Sequence, residues 1–289
     1  MKKIYHLLLA GTVSLCACTD LPAQEFKEHI SKQFTVNPKN AEAVLTVYNI
    51  FGSIKVEGYD GDKVMLEIDK KVTAKSQEEV DRGKEEFKFE MEQMQDSILV
   101  YISAPYDSRP RNRWDDDKDN DRRRIRYTYY LDLVVKVPNG IRLRVSTVNN
   151  GNINVANVFG NLFVSNVNGS IDIENAKGIT KATTVNGKLN VRYAANPSAA
   201  STYHTINGDI TVYYKNNLDA ELFFKSMNGE YYTDFDNTEP ISNIMVKNAE
   251  TNEKGTVYKI IKNAGIKIGN GGKQFHFETL NGNVYIKKS

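Results

Sequence analysis

Short stretches of strictly alternating polar and apolar residues recur along the second half of the chain. Ser170-Ile171-Asp172-Ile173, Lys188-Leu189-Asn190-Val191, Asp209-Ile210-Thr211-Val212 and Asn283-Val284-Tyr285-Ile286 share one pattern. Period-two alternation turns one set of side chains toward a core and the other toward solvent, which predicts half-buried β-strands. Each stretch follows an Asn-Gly pair. Six such pairs occur: Asn150-Gly151, Asn168-Gly169, Asn186-Gly187, Asn207-Gly208, Asn228-Gly229 and Asn281-Gly282. Their successive steps are 18, 18, 21, 21 and 53 residues. An apolar residue precedes most pairs (Val167, Val185, Ile206, Met227, Leu280); in the first copy Val148 fills this role, with Asn149 as an extra residue. Gly52-Ser53-Ile54-Lys55-Val56 is an earlier, looser copy. A second turn signal falls half a period on, at Phe159-Gly160-Asn161, Lys177-Gly178 and Asn196-Pro197. One period therefore holds two strands and two turns, with Asn and Gly supplying the positive φ of a tight turn.

Two architectures produce such a pattern. Antiparallel hairpins would use each Asn-Gly pair as a two-residue loop. A solenoid would use it as a corner, with each period stacked in parallel on the last. The near-constant step favours the solenoid, and parallel crossovers are right-handed. The expected fold is thus all-β: a right-handed parallel β-solenoid, or β-helix, of stacked 18–21 residue repeats with one short helix near the N-terminal end. Stacking puts Val167, Val185, Ile206 and Met227 in one internal column and Ile153, Ile171, Leu189 and Ile210 in another. The Asn residues fall in a third, where side-chain amides hydrogen-bond along the stack. Turn chemistry accounts for all six Asn-Gly pairs as structural corners without a ligand.

Upstream, residues 43–48, 53–57 and 64–72 read as strands, with a turn at Asp60-Gly61. Residues 76–86 read as a helix, capped by Ser76 with Glu79 completing a capping box. Residues 87–94, 97–103 and 127–137 read as strands that extend the sheets or cover the open end of the stack, whose bare edge would invite aggregation. The last repeat, residues 274–287, follows an insertion from about 236 to 273. No linker rich in Pro, Gly or Ser intervenes, so 24–289 is expected to be one domain. Residues 1–23 read as a secretory signal, with Lys2 and Lys3 before a mostly apolar run over 4–15. Two cleavage points compete. Leu15-Cys16-Ala17-Cys18 resembles a bacterial lipobox, which would lipidate Cys18, although Cys16 stands where a small or β-branched residue is usual. Cleavage after Ala23 would instead leave Gln24 first. Both place the mature protein outside the cytoplasm.

Composition narrows the function classes. Lys plus Arg number 38 and Asp plus Glu 36, a net charge of +2, without the basic excess of a nucleic-acid binder. The only two Cys are Cys16 and Cys18, which excludes a disulfide scaffold. Charge is concentrated in 107–126, where Arg and Lys residues interleave with six Asp. Asp115, Asp117, Asp119 and Asp121 are the candidate metal ligands, because Asp117-x-Asp119-x-Asp121 resembles the start of a Ca²⁺ loop. Arg122 replaces the turn glycine, however, and Thr128 stands where a bidentate Glu belongs. The favoured reading is a self-neutralising solvated loop; the flanking Arg residues could instead grip an acidic partner such as a sulfated glycan or a lipid head group. His29, His204 and His276 show no metal-ligand spacing, and no cofactor is expected. Asp209 and Glu230 follow consecutive Asn-Gly corners and are the one candidate pair of stacked carboxylates. Tyr193, Tyr213, Tyr214, Tyr231, Tyr232 and Tyr285 suit cross-strand packing first and sugar stacking second.

One resemblance attaches to particular residues. Val134-Val135-Lys136-Val137-Pro138-Asn139-Gly140, then Leu143-Arg144-Val145-Ser146-Thr147-Val148, precede the Asn-Gly repeats. With Lys267-Ile268-Gly269-Asn270-Gly271-Gly272 and Thr279-Leu280-Asn281-Gly282, they resemble a bacterial family known as putative adhesins. The resemblance implies a β-stacked envelope protein, in the periplasm or on the outer membrane or surface of a Gram-negative bacterium. It brings no catalytic or binding residues. The expected role is non-enzymatic: surface contact, scaffolding or adhesion to a glycan or envelope protein, with membrane contact only through an N-terminal lipid. A periplasmic partner-binding or sensing module and a polysaccharide-acting enzyme are the alternatives.

Overall fold

A computed structural model describes residues 23–37, 42–95, 97–110, 125–241, 245–252, 255–262 and 264–289. Cys18 and the rest of the leader, and Asp115, Asp117, Asp119 and Asp121, lie outside the described residues.

The fold is all-β, with one helix among the described residues, Gln77–Glu86. Two large sheets carry nearly every strand. From Arg142 to Thr233 consecutive strands alternate between them. Arg142–Ser146, Leu162–Ser165, Thr180–Thr183 and Ser201–His204 lie side by side in the second sheet. Ile153–Ala156, Ile171–Ala176, Leu189–Tyr193 and Ile210–Tyr214 do so in the first. All these pairings are parallel. The alternation read from sequence sets the facing: Ile153, Ile171, Leu189 and Ile210 are aligned and fully buried.

The expectation of a wholly parallel stack needs correction, because both sheets are mixed. At the N-terminal end Lys63–Ala74 pairs antiparallel with both Gln24–Thr35 and Tyr127–Pro138. Lys88–Met94 pairs antiparallel with Ser97–Ala104. At the other end Ala264–Ile268 runs antiparallel to Ala220–Asn228 and to Thr238–Ile241. Met245–Asn252 and Gly255–Lys262 form a separate antiparallel pair. Apart from that separate pair, these strands sit at the ends of the two large sheets, where a bare parallel edge would leave a row of unpaired backbone groups.

Stack order departs from chain order. The C-terminal strands Lys273–Asn281 and Val284–Lys288 insert between the coil carrying Asn207 and the coil carrying Asn228. The spacing of repeats shows which residues are equivalent, not which copies touch, so chain order was the wrong guide. The insertion also changes the core. Tyr214 stacks on Phe275 at 5.3 Å, and Phe277 lies between Tyr203 at 4.9 Å and Phe224 at 5.3 Å. The buried Tyr193 and Tyr214 hydroxyls both hydrogen-bond Tyr203, at 2.7 and 3.1 Å. Burial raises the pKa of all three phenols.

The helix forms where expected. The backbone N–H of Glu79 donates to Ser76 Oγ at 3.3 Å, closing the first turn. Val80 and Gly83 are buried, and Phe87 beyond the C-terminus stacks on Tyr129 at 4.3 Å.

Candidate functional site: laddered corners and an outward groove

Each coil turns from the second sheet to the first at its Asn-Gly corner, and three ladders fix that corner. The outermost is made of exposed amides. Asn168 donates to Asn149, Asn186 to Asn168, Asn207 to Asn186, Asn281 to Asn207 and Asn228 to Asn281, all at 2.7–2.8 Å. In the first copy the structure reverses the expected roles: Asn149 holds the ladder position, and Asn150, not Asn149, is the extra residue, at φ 58°.

A second ladder lies inside. Two residues before each ladder Asn stands a buried or half-buried polar side chain that donates to a glycine carbonyl one coil away. Thr147 reaches Gly52 at 2.9 Å, Asn166 reaches Gly151 at 3.0 Å, and Thr184 reaches Gly169 at 2.9 Å. Thr205, Thr279 and Ser226 reach Gly187, Gly208 and Gly282 at 3.0, 3.2 and 3.3 Å. This ladder corrects the apolar column expected here. Strand alternation continues into the corner, so Thr205 points in and Ile206 points out. Val167, Val185 and Ile206 are half-exposed and Met227 is 69% exposed. The inward place goes to a polar residue because the glycine carbonyl beside it needs a donor away from water.

The third ladder explains the glycines. A Cβ on Gly169, Gly187, Gly208 or Gly282 would overlap the carbonyl of the aligned glycine one coil away. Close backbone approach requires these glycines, rather than the positive φ anticipated from turn chemistry, which only Gly208 of the four adopts, at 159°. The residue after each glycine adds a further tie: Asn152 Oδ1 accepts from Ser170 N at 2.9 Å and Asp209 Oδ1 from Asn283 N at 2.8 Å. Glu230 N in turn donates to Asn283 Oδ1 at 2.9 Å. Asn283 therefore stands between Asp209 and Glu230, and the candidate acidic pair is not formed.

The ladders hold a flat, regular outer face on the second sheet. Five residues before successive ladder Asn residues come Arg144, Phe163 and Lys181; three before come Ser146, Ser165 and Thr183. Parallel register aligns each set across three neighbouring strands. The two rows lie about 7 Å apart along the strands, and their members about 4.8 Å apart across them. A groove of about 340 Å³ lies over this grid, with Tyr48 and Pro110 also in its walls. Phe163 is 37% exposed, and the Arg144 guanidinium sits 5.0 Å from its ring centre. Among the described residues no carboxylate lies within ion-pair distance of Arg144 or Lys181, although Arg192 on the first sheet and Lys225 farther along the second are paired. Sequence reading missed this grid. The signal that would have found it is the fixed offset from the ladder Asn, which sorts outward residues into columns.

The remaining candidates are dispersed. His204 faces Glu278 at 3.5 Å, and a hydrogen bond from Lys225 holds the Glu278 carboxyl below its usual pKa. His276 stacks on Phe223 at 5.2 Å. His29 lies between Asp69 at 2.7 Å and Glu67 at 3.0 Å, and these hydrogen bonds raise its pKa. Tyr193 and Tyr214 are buried, while Tyr231 and Tyr232 are exposed and Tyr232 stacks on Tyr285 at 5.2 Å. Among the described residues no three His, Cys, Asp or Glu side chains converge as a metal site.

No protein-family profile matches this chain, and no curated protein matches it. Among solved structures it is distantly similar to a putative cell adhesion protein from Clostridium sporogenes. That pair shares 12% identity over 91% of this chain and 100% of the other, with a TM-score of 0.36. A putative adhesin from Bacteroides fragilis shares 12% identity over 91% and 97%, with a TM-score of 0.28. A putative lipid binding protein from Parabacteroides distasonis shares 10% over 90% and 96%, with a TM-score of 0.27.

Proposed function

We propose that this chain is a non-enzymatic cell-envelope protein of adhesin type. Its body is a right-handed parallel β-solenoid with antiparallel ends, and its outer faces contact a surface ligand. The observation that carries this reading is the laddered stack itself. It fixes outward side chains in columns at the strand spacing, and a groove lies over one set whose cations lack a protein carboxylate among the described residues. Rigid, pre-ordered contact residues lose little freedom on binding. In this reading residues 1–23 direct export, Cys18 is the lipidation point if the lipobox is used, and 24–289 act as one domain in the periplasm or at the outer surface. No helix among the described residues is long and apolar enough to cross a membrane.

The test is binding of the purified protein to an array of immobilised glycans and surface proteins. Saturable binding to one class supports the reading, and no binding across the array removes it. A second reading, a module that binds another envelope protein, is favoured by the outward apolar ridge ending in Leu280 and Met227, 40% and 69% exposed. Loss of one co-purifying partner on Met227→Asp would select it.

A further inference from the structure

We infer that the groove over Phe163 binds an acidic saccharide, a sugar chain bearing carboxylate or sulfate groups. This inference rests on the surface-binding reading and names the ligand class for it. Three features of the grid point the same way. The first is charge: Arg144 and Lys181 flank Phe163 on its two neighbouring strands, roughly 10 Å apart at the backbone. Neither meets a carboxylate among the described residues. An anion on the ligand supplies that partner, forked by the Arg144 guanidinium or held by the Lys181 ammonium.

The second feature is the exposed aromatic ring between two cations. Its π-face offers a surface for the C–H face of a pyranose, and the Arg144 contact at 5.0 Å holds it in place. The third is the hydroxyl row of Ser146, Ser165 and Thr183, about 7 Å along the strands. Among the described residues these side-chain hydroxyls make no hydrogen bond to protein. A hydroxyl exchanges hydrogen bonds with sugar hydroxyls both as donor and as acceptor. A volume of about 340 Å³ is at the small end of ligand sites, which span about 300–1,000 Å³.

Other ligand classes fit less well. The strands under the groove are paired on both sides, so no free edge is offered to an extended peptide. One half-exposed ring gives no channel for an acyl chain. The net charge of +2 lacks the excess that a nucleic-acid backbone would need.

The experiment is calorimetric titration of the full chain with four probes. They are a sulfated heparin-type oligosaccharide, an oligogalacturonate, a neutral glucan oligomer of equal length, and phosphatidylglycerol vesicles. Saturable binding of a charged oligosaccharide is expected, with no binding of the neutral one. Arg144→Gln and Phe163→Ala should each weaken it about tenfold, the scale of one charge-assisted bond or one well-placed ring contact. Lys188→Gln, on an exposed corner away from the groove, should leave it unchanged. If Phe163→Ala lowers the melting temperature, the Arg144→Gln and Lys181→Gln double variant replaces it. Equal binding of the neutral glucan, binding of vesicles alone, or wild-type affinity in the groove variants would overturn the inference. If the array shows another ligand whose binding ignores Phe163→Ala, the groove inference fails and the surface-binding reading stands. If nothing binds, both fail.

Discussion

At the Asn-Gly corner one rule holds from the coil of Phe51 to the coil of Asn228, whereas the opposite corner keeps its own ladder for only two coils. The distance from one sheet to the other across the Asn-Gly corner is nine residues in Leu45 to Ile54, Leu162 to Ile171, Thr180 to Leu189, Ser201 to Ile210 and Phe275 to Val284. It is ten only from Leu143 to Ile153, where Asn150 is the extra residue in a left-handed conformation. The return leg is nine residues from Ile153 to Leu162 and from Ile171 to Thr180. It grows to twelve from Leu189 to Ser201 and from Ile210 to Leu222. There Asn175 donates to Asn157 at 2.9 Å, but the next coil has Asn196-Pro197 instead and bonds to Asn217 and Lys215. The longest excursion, from Thr233 to Lys273, leaves from this same corner.

The difference teaches where tolerance resides. At the Asn-Gly corner the aligned glycine backbones touch, and each coil supplies donors to the next, so an added residue breaks contacts on two sides. At the opposite corner Gly178 also presses on Gly160 and Asn196 bonds to the next coil, but the leg there varies from nine to twelve residues, so this corner accepts added length that the Asn-Gly corner does not.

The largest expected effect comes from crowding the touching backbones. Gly187→Ala places a Cβ against the Gly169 carbonyl, and chemical denaturation should show a loss of about 3 kcal/mol or more. Thr205→Val keeps the shape but removes the 3.0 Å bond to Gly187, with an expected loss of about 1–2 kcal/mol. An Asn-Gly corner held by packing alone would show almost no loss for Thr205→Val. The opposite corner sharpens the contrast. Three residues inserted between Asn216 and Asn217, beside the bond from Asn196 to Asn217, should cost about 1 kcal/mol. The same insertion between Asn186 and Gly187 should cost several times more.

The smallest effect expected is the pH response of His29 on the exposed face of the first sheet. Its pKa is raised by Asp69 and then Glu67. A raised folded-state value contributes stability that is complete below the unfolded pKa and fades as pH rises through the folded one. Melting temperatures of the wild type and His29→Gln should therefore differ at pH 5.5 and converge by about pH 9.

Much of this architecture was legible in the alternation. The Ile153, Ile171, Leu189, Ile210 column, the amide ladder and the Ser76 cap follow from residue type and spacing alone. Three things were not. The facing of Ile206 and its equivalents was misread because an apolar residue beside a turn looks internal, and the need of a buried carbonyl for Thr205 leaves no mark in hydropathy. The grid of Arg144, Phe163 and Lys181 was hidden because its members differ in chemistry and align only once register is known. The place of Asn281 between Asn207 and Asn228 depends on how the chain returns after its longest excursion, which local patterning does not encode.

That stack order is the point on which the account turns, since it sets every ladder at the C-terminal end. It can be tested in a chain carrying Cys16→Ala and Cys18→Ala, by oxidising two engineered pairs and locating disulfides by mass spectrometry. Neighbouring ladder positions lie about 4.8 Å apart, within disulfide reach, while positions two strands apart are at roughly 10 Å. The account predicts that Asn207→Cys with Asn281→Cys crosslinks in the folded protein and that Asn207→Cys with Asn228→Cys does not. Efficient crosslinking of the second pair and none of the first would contradict it.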